Sequence, residues 1–77
     1  MVKSKFIKIE LIKDLQKFVD KASNVEGEVL VQKDYWIVNG KSILGILSLD
    51  FSNGVTVTYP ANEWEFEQFL DEFEIEK

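Results

Sequence analysis

The chain has 77 residues, 45% of them apolar and 13% aromatic, which reads as one small globular domain spanning residues 1–77 rather than a disordered segment. A net charge of −5 argues against nucleic-acid binding. The absence of Cys excludes disulfides and thiolate chemistry, and the absence of His excludes an imidazole base, ligand or phosphoryl carrier. All nine basic residues are Lys, so no guanidinium fork is present to grip phosphate or carboxylate.

The first elements follow from alternation and periodicity. Phe6, Ile7, Ile9 and Leu11, with Lys8 and Glu10 between the aliphatics, predict a first strand with one buried face. Leu15, Phe18, Val19 and Ala22 fall at i, i+3, i+4 and i+7. They predict a helix over 14–24 with Asp14 as N-cap. Glu28–Gln32 and Tyr35–Val38 predict two strands joined by Lys33-Asp34 as a hairpin. Strand neighbours face opposite ways, so one of Tyr35 and Trp36 is expected in the core and the other outside.

The second half continues the pattern. Asn39-Gly40 ends the third strand, and Ser42 is placed to cap a short apolar helix over Ile43–Leu49. Ser52-Asn53-Gly54 predicts a turn. Val55, Val57 and Tyr59, alternating with Thr56 and Thr58, predict a fourth strand that Pro60 closes. Asn62 and Glu65 have capping-box spacing before a helix whose stripe is Phe66, Phe69, Leu70 and Phe73. Trp64 lies off that stripe; exposed it would be a candidate contact anchor, but folding back against Tyr59 or Pro60 is the plainer expectation. The order βαββαβα, with one-sided strands and amphipathic helices, implies an α+β two-layer sandwich. Three helices would cover one face of a four-stranded antiparallel sheet.

At Ser42 the sequence meets a family. Asn39-Gly40-Lys41-Ser42-Ile43-Leu44-Gly45-Ile46-Leu47-Ser48-Leu49 resembles the regulatory-serine segment of HPr, the phosphocarrier of the sugar phosphotransferase system. That segment is close to N-x-K-S-I-M-G-V-M-S-L; here Leu44 and Leu47 stand for the two Met, and Ile46 for Val. Ala22-Ser23 followed by Val25 resembles the end of the family's first helix, and Val55-Thr56-Val57 its fourth strand. The resemblance implies the HPr-like open-faced sandwich. It also implies a phosphoryl-bearing His in a G-[IL]-H-A-R-P loop before the first helix. This chain has Glu10-Leu11-Ile12-Lys13-Asp14 there, and the loop is several residues short. Leu and Ile offer no nucleophilic atom, so the family's carrier chemistry is not expected.

Three features are candidates for function. Ser42 matches the family's regulatory phosphorylation site, while a plain N-cap role needs no partner. Ile43, Leu44 and Leu47 match the helix face on which family members dock partners, the alternatives being full burial or a contact between copies. Lys41 flanks that face as a cation for a phosphate or a partner. The acidic residues from Glu63 to Glu76 lack ligand spacing and a partner base, so neither a metal site nor an enzyme is expected, and no cofactor. Residues 1–21 carry six Lys against three acids, and residues 60–77 carry seven acids against Lys77. Two solvated helix faces are the plainer expectation; mutual attraction is the other.

The expected function is thus a regulatory or protein-binding HPr-like module switched at Ser42. The expected partners are proteins, either phosphotransferase-system components or transcription regulators, and self-association stays open. No stretch resembles a targeting signal, and Ser42–Leu49, the most aliphatic run, is too short to cross a bilayer, so a cytoplasmic protein without membrane insertion is expected. Phosphotransfer through a non-histidine acceptor, or a structural domain unrelated to sugar transport, are the rival readings.

Overall fold

The computed structural model describes residues 1–76. The elements run β1 (Val2–Ile7), α1 (Ile12–Ser23), β2 (Leu30–Lys33), β3 (Trp36–Asn39), α2 (Ile43–Leu47), a 3-10 turn (Phe51–Asn53), β4 (Val55–Pro60) and α3 (Trp64–Asp71). The strands form one antiparallel sheet in the order β1-β4-β2-β3. The three helices lie over one face, giving the expected α+β two-layer sandwich.

The core sits between the layers. Val31, Val55, Val57 and Tyr59 point inward from the sheet, and Leu15, Phe18, Ala22, Ile46, Phe66 and Leu70 meet them from the helices. Alternation puts every second strand residue on this face, which is why the β-branched run of β4 reads so clearly. The Phe66 ring stands edge-on to Tyr59 at 5.7 Å and tilted to Phe18 at 5.6 Å, tying α3 to both β4 and α1. Two glycines are required by close approach. A Cβ on Gly40 would run into Val29, and one on Gly54, where φ is +101°, would run into the Phe6 ring.

Several sequence expectations shift. β1 lies earlier than expected, ending at Ile7; Ile9 is buried after the strand ends, and Leu11 is exposed as the residue preceding α1. Asp14 sits within the first turn of α1 rather than capping it, and no side chain caps that end. The hairpin turn is Asp34-Tyr35, one residue later than expected, with Asp34 at φ +54°, a conformation Asp tolerates. Tyr35 and Trp36 are both exposed, because Tyr35 occupies the turn and Trp36 the edge strand. The Asn62 box does not form: α3 begins at Trp64 after Glu63, without a side-chain cap, and Trp64 is exposed.

The opposite charges of the two chain halves meet. Lys3 and Lys5 of β1 project to the helix side, in register with Tyr59 and Val57. Lys3 pairs with Glu67 at 3.2 Å, and Lys5 with Asp71 at 2.9 Å and Glu74 at 3.2 Å. Attraction rather than independent solvation is therefore the outcome for these residues. The hydrogen bonds to Asp71 raise Lys5 above its ordinary pKa, against the opposing effect of burial and with help from Glu74. The Tyr59 hydroxyl donates to Glu67 at 2.6 Å. Burial first, then Glu67, pushes that phenol well above its usual value, while Tyr59 and then Lys3 hold Glu67 below the usual carboxylate range. Beyond α3, Lys8 donates to the Phe73 carbonyl and Ile75 to that of Phe6, so residues 73–75 run along the outer edge of β1.

Candidate functional site

The approach to α2 is held by a series of short bonds. Gly40 donates to Val29 O at 2.7 Å, the Lys41 amide to Asn39 Oδ1 at 2.9 Å, and the Ser42 amide to Asn39 O at 3.1 Å. Ser42 is extended, at φ −111° and ψ 110°, and its Oγ accepts from the Gly45 amide at 3.1 Å. This is an N-cap: the hydroxyl satisfies an amide that has no carbonyl four residues back. The cap that the sequence predicted is therefore present. The Ser42 side chain is half-buried.

Five residues of α2 divide sharply by face. Ile46 is buried among Leu15, Phe18 and Val31, and Ile43 is half-buried against the same core. Leu44 is 79% exposed and Leu47 is 45% exposed. Of the three aliphatic candidates, Leu44 and Leu47 thus form an outward face, and Ile43 supports it from behind. Gly45 lets the helix lie close on β3, since a Cβ there would already touch the Val38 and Ser42 side chains at 3.4 Å.

Lys41 is the candidate whose placement differs most from a free flanking cation. Its Nζ donates to the Val25 carbonyl at 2.8 Å, so the side chain ties the entry of α2 to the loop after α1. A group competing for this ammonium must break that bond.

The β1–α1 connection holds no imidazole. It runs Lys8-Ile9-Glu10-Leu11, with Lys8 and Glu10 paired at 3.9 Å and Ile9 in the core. Leu11 and Ile12 are 53% and 55% exposed, forming an aliphatic end to α1 where a polar cap is usual. Sequence reasoning missed this pair by assigning Leu11 to a buried strand face. The available signal was that Leu11 and Ile12 fall before the Leu15–Phe18–Ala22 stripe. It also missed Trp36, 72% exposed, which borders a depression shared with Ser48 and Leu49 at the far end of α2. Among the described residues no group of three or more His, Cys, Asp or Glu could hold a metal, and no helix is long and apolar enough to cross a membrane.

The profile of the PTS-HPr family, described as the PTS HPr component phosphorylation site, matches residues 15–75. The chain belongs to the HPr family. The HPr-like protein Crh of Halalkalibacterium halodurans is 42% identical over 41 residues, 53% of this chain and 49% of that protein. The aligned part thus spans about half the length of this curated relative. Two crystal structures share the fold. Phosphocarrier protein HPr from Bacillus anthracis superposes with a TM-score of 0.73 at 24% identity, covering 95% of this chain and 98% of the other. HPr-C-His from Thermoanaerobacter tengcongensis gives 0.68 at 31% identity, covering 94% and 88%. This chain has no His anywhere in its sequence.

Proposed function

We propose that this HPr-family chain is a regulatory protein-binding module, not a phosphoryl carrier and not an enzyme, acting in the cytoplasm on phosphotransferase-system or transcription-regulatory proteins. The observation that carries the reading is a combination. A family helix has two exposed leucines beside a capping serine, while the connection before α1 has no imidazole to carry a phosphoryl group. Leu44 and Leu47 are the contact residues, with Ile43 supporting them and Lys41 at the flank.

Ser42 is the switch. Transfer of a γ-phosphoryl from ATP to Oγ releases the hydroxyl proton and leaves about two negative charges at the start of α2. The Oγ already lies 3.1 Å from the Gly45 amide, so the added group would sit beside amide donors that favour an anion. It would also place charge next to Leu44, changing the contact face from aliphatic to anionic. No cofactor takes part.

Three measurements on the intact chain test this. Incubation with phosphoenolpyruvate and the system's first enzyme, read by intact mass, is expected to add no phosphoryl group; an added group would overturn the binding-only reading. Incubation with ATP and the family's serine kinase is expected to add one, and Ser42→Ala to abolish it. Co-purification of partners is expected to fail for Leu44→Ser with Leu47→Ser; capture of the same proteins by both forms would refute the docking face.

A further inference from the structure

The sheet has two edges, and the chain covers only one of them. Register decides which peptide groups face outward, because along an antiparallel strand they alternate in direction residue by residue. At one edge this turns Phe6 of β1 and Lys8 just beyond it outward, where residues 73–75 receive them: Ile75 donates to the Phe6 carbonyl and Lys8 to that of Phe73. At the other edge it turns Ile37 and Asn39 of β3 outward. The Asn39 carbonyl accepts from the Ser42 amide there. Among the described residues, no bond from a loop or helix reaches the Ile37 N–H, the Ile37 carbonyl or the Asn39 N–H. Nor is this edge guarded: Trp36–Asn39 holds no Lys, no Pro and no bulge, the devices that usually blunt an edge strand.

We infer that this edge takes an extended segment of a partner protein as an added strand, with an Arg or Lys of that segment seated beside Trp36. An extended backbone presents donors and acceptors at the spacing of the outward groups of Ile37 and Asn39, which is how strand addition holds a peptide. The preferred side chain follows from what lies next to the edge. Trp36 pairs with Lys33 and borders an open depression of about 470 Å³ on the helix side, formed with Lys33, Asp34, Ser48, Leu49 and Asp50. A residue opposite Trp36 on an added strand faces the same side, so its side chain enters the depression. Two carboxylates against one ammonium leave the lining negative. Asp50 is fixed there as an anion: Ser52 donates to one carboxylate oxygen at 2.8 Å and Asn53 to the other at 2.6 Å, which holds it below the usual carboxylate range. Each oxygen keeps a lone pair for a further donor. A cation in the depression also has the exposed Trp36 indole beside it, whose face attracts positive charge.

The charge of the depression selects a different protein over a second copy of this chain. The β3 strand of a second copy would bring Trp36, Ile37, Val38 and Asn39, none of them cationic, and would leave the carboxylates unmatched. The nearest lysines cannot make this good, since Lys33 belongs to β2 and Lys41 is tied to the Val25 carbonyl. A few backbone bonds and one charge contact give a weak grip on a short peptide, in the millimolar range. A partner already held at another surface gains more from the same contact, because adding its strand is then an intramolecular step. The inference does not depend on Leu44 and Leu47 being a docking face.

The probe is a short synthetic peptide of alternating Thr and Val with one central Arg, titrated to about 5 mM into the full chain and read by chemical shifts and amide exchange. The expected result is shift changes at the Ile37 and Asn39 amides and the Trp36 indole, with slower exchange at both amides. Glu in place of the peptide's Arg is expected to weaken binding at least about three-fold. Ile37→Pro removes one outward N–H at an edge position, where Pro is tolerated, and is expected to weaken binding at least about five-fold while melting remains cooperative. N-methylation of the peptide's own amides makes the same test without altering the protein, and is expected to abolish binding. Asp34→Asn, which keeps a residue suited to positive φ, is expected to weaken the Arg peptide and not the Glu peptide. Leu44→Ser is expected to change neither. Absence of binding at the highest concentration overturns the inference, and so does binding to the methylated peptide or shifts confined to another surface. Equal affinity for the Arg and Glu peptides refutes the seat beside Trp36. A dimer that forms without peptide and slows exchange at Ile37 refutes the choice of partner.

Discussion

Replacing Ser42 with alanine removes one hydrogen bond from a helix that has only five residues. The Oγ accepts from the Gly45 amide at 3.1 Å, and the Ser42 carbonyl accepts from the Ile46 amide, also at 3.1 Å. Loss of an N-cap hydroxyl costs about 1 kcal/mol. For 77 residues the entropy of unfolding at the midpoint is about 0.16 kcal/mol per kelvin, so the melting temperature is expected to fall by about 6 °C. Hydrogen exchange at the Gly45 amide is expected to accelerate about five-fold, the equivalent of that 1 kcal/mol. Ser42→Asp keeps an acceptor at the same place and is expected to melt within about 2 °C of the parent, Asp being as good a cap as Ser. Calorimetry and amide exchange read both variants. A Ser42→Ala protein with unchanged melting and unchanged Gly45 protection would refute the cap. A Ser42→Asp protein that falls as far as Ser42→Ala would refute the claim that the site accepts negative charge.

Three further outcomes follow from the packing. Leu44→Ser with Leu47→Ser is expected to change stability by no more than about 0.5 kcal/mol in denaturant melts, because both side chains are exposed, while removing partner binding. Gly54→Ala is expected to cost at least about 2 kcal/mol in the same melts, since it adds a Cβ at positive φ against the Phe6 ring. Glu67 is held below its ordinary 4.5 by Tyr59 and then Lys3, so its contribution is complete above that value and is lost as pH falls through the lower folded-state value. Tyr59→Phe is expected to lower stability at neutral pH and to flatten the acid limb of the pH–stability curve. An acid limb identical to the parent's would exclude the Tyr59–Glu67 bond as its source.

The parts legible in the sequence were those governed by one local rule. Ser42 followed by an apolar run needs only the unsatisfied first-turn amides to explain it, and Val55-Val57-Tyr59 needs only alternation. The parts that were not legible depend on residues far away. Lys3 and Lys5 make β1 look like a polar lead-in until Glu67, Asp71 and Glu74 arrive to receive them, so the strand was placed too late. Asp14 and Asn62 have capping chemistry, but the chain enters α1 at Leu11 and α3 at Glu63, and neither end takes a side-chain cap. Trp36 was half-assigned to the core on parity alone; its strand is an edge, where the inward face runs out of cover. For the candidate site, the division of α2 into Ile46 inside and Leu44 and Leu47 outside follows helical spacing. The grip of Lys41 on Val25 could not be read from spacing, because it joins residues sixteen apart through a loop.

The placement of β1 has a consequence for how the molecule is made. Its one neighbour in the sheet is β4, some fifty residues onward, and its outer edge is covered by residues 73–75. Strand β1 therefore pairs only with an element far along the chain. Until the two meet, its lysines have no carboxylates beside them and half the sheet has no border. Such distant pairing slows the search for the native state.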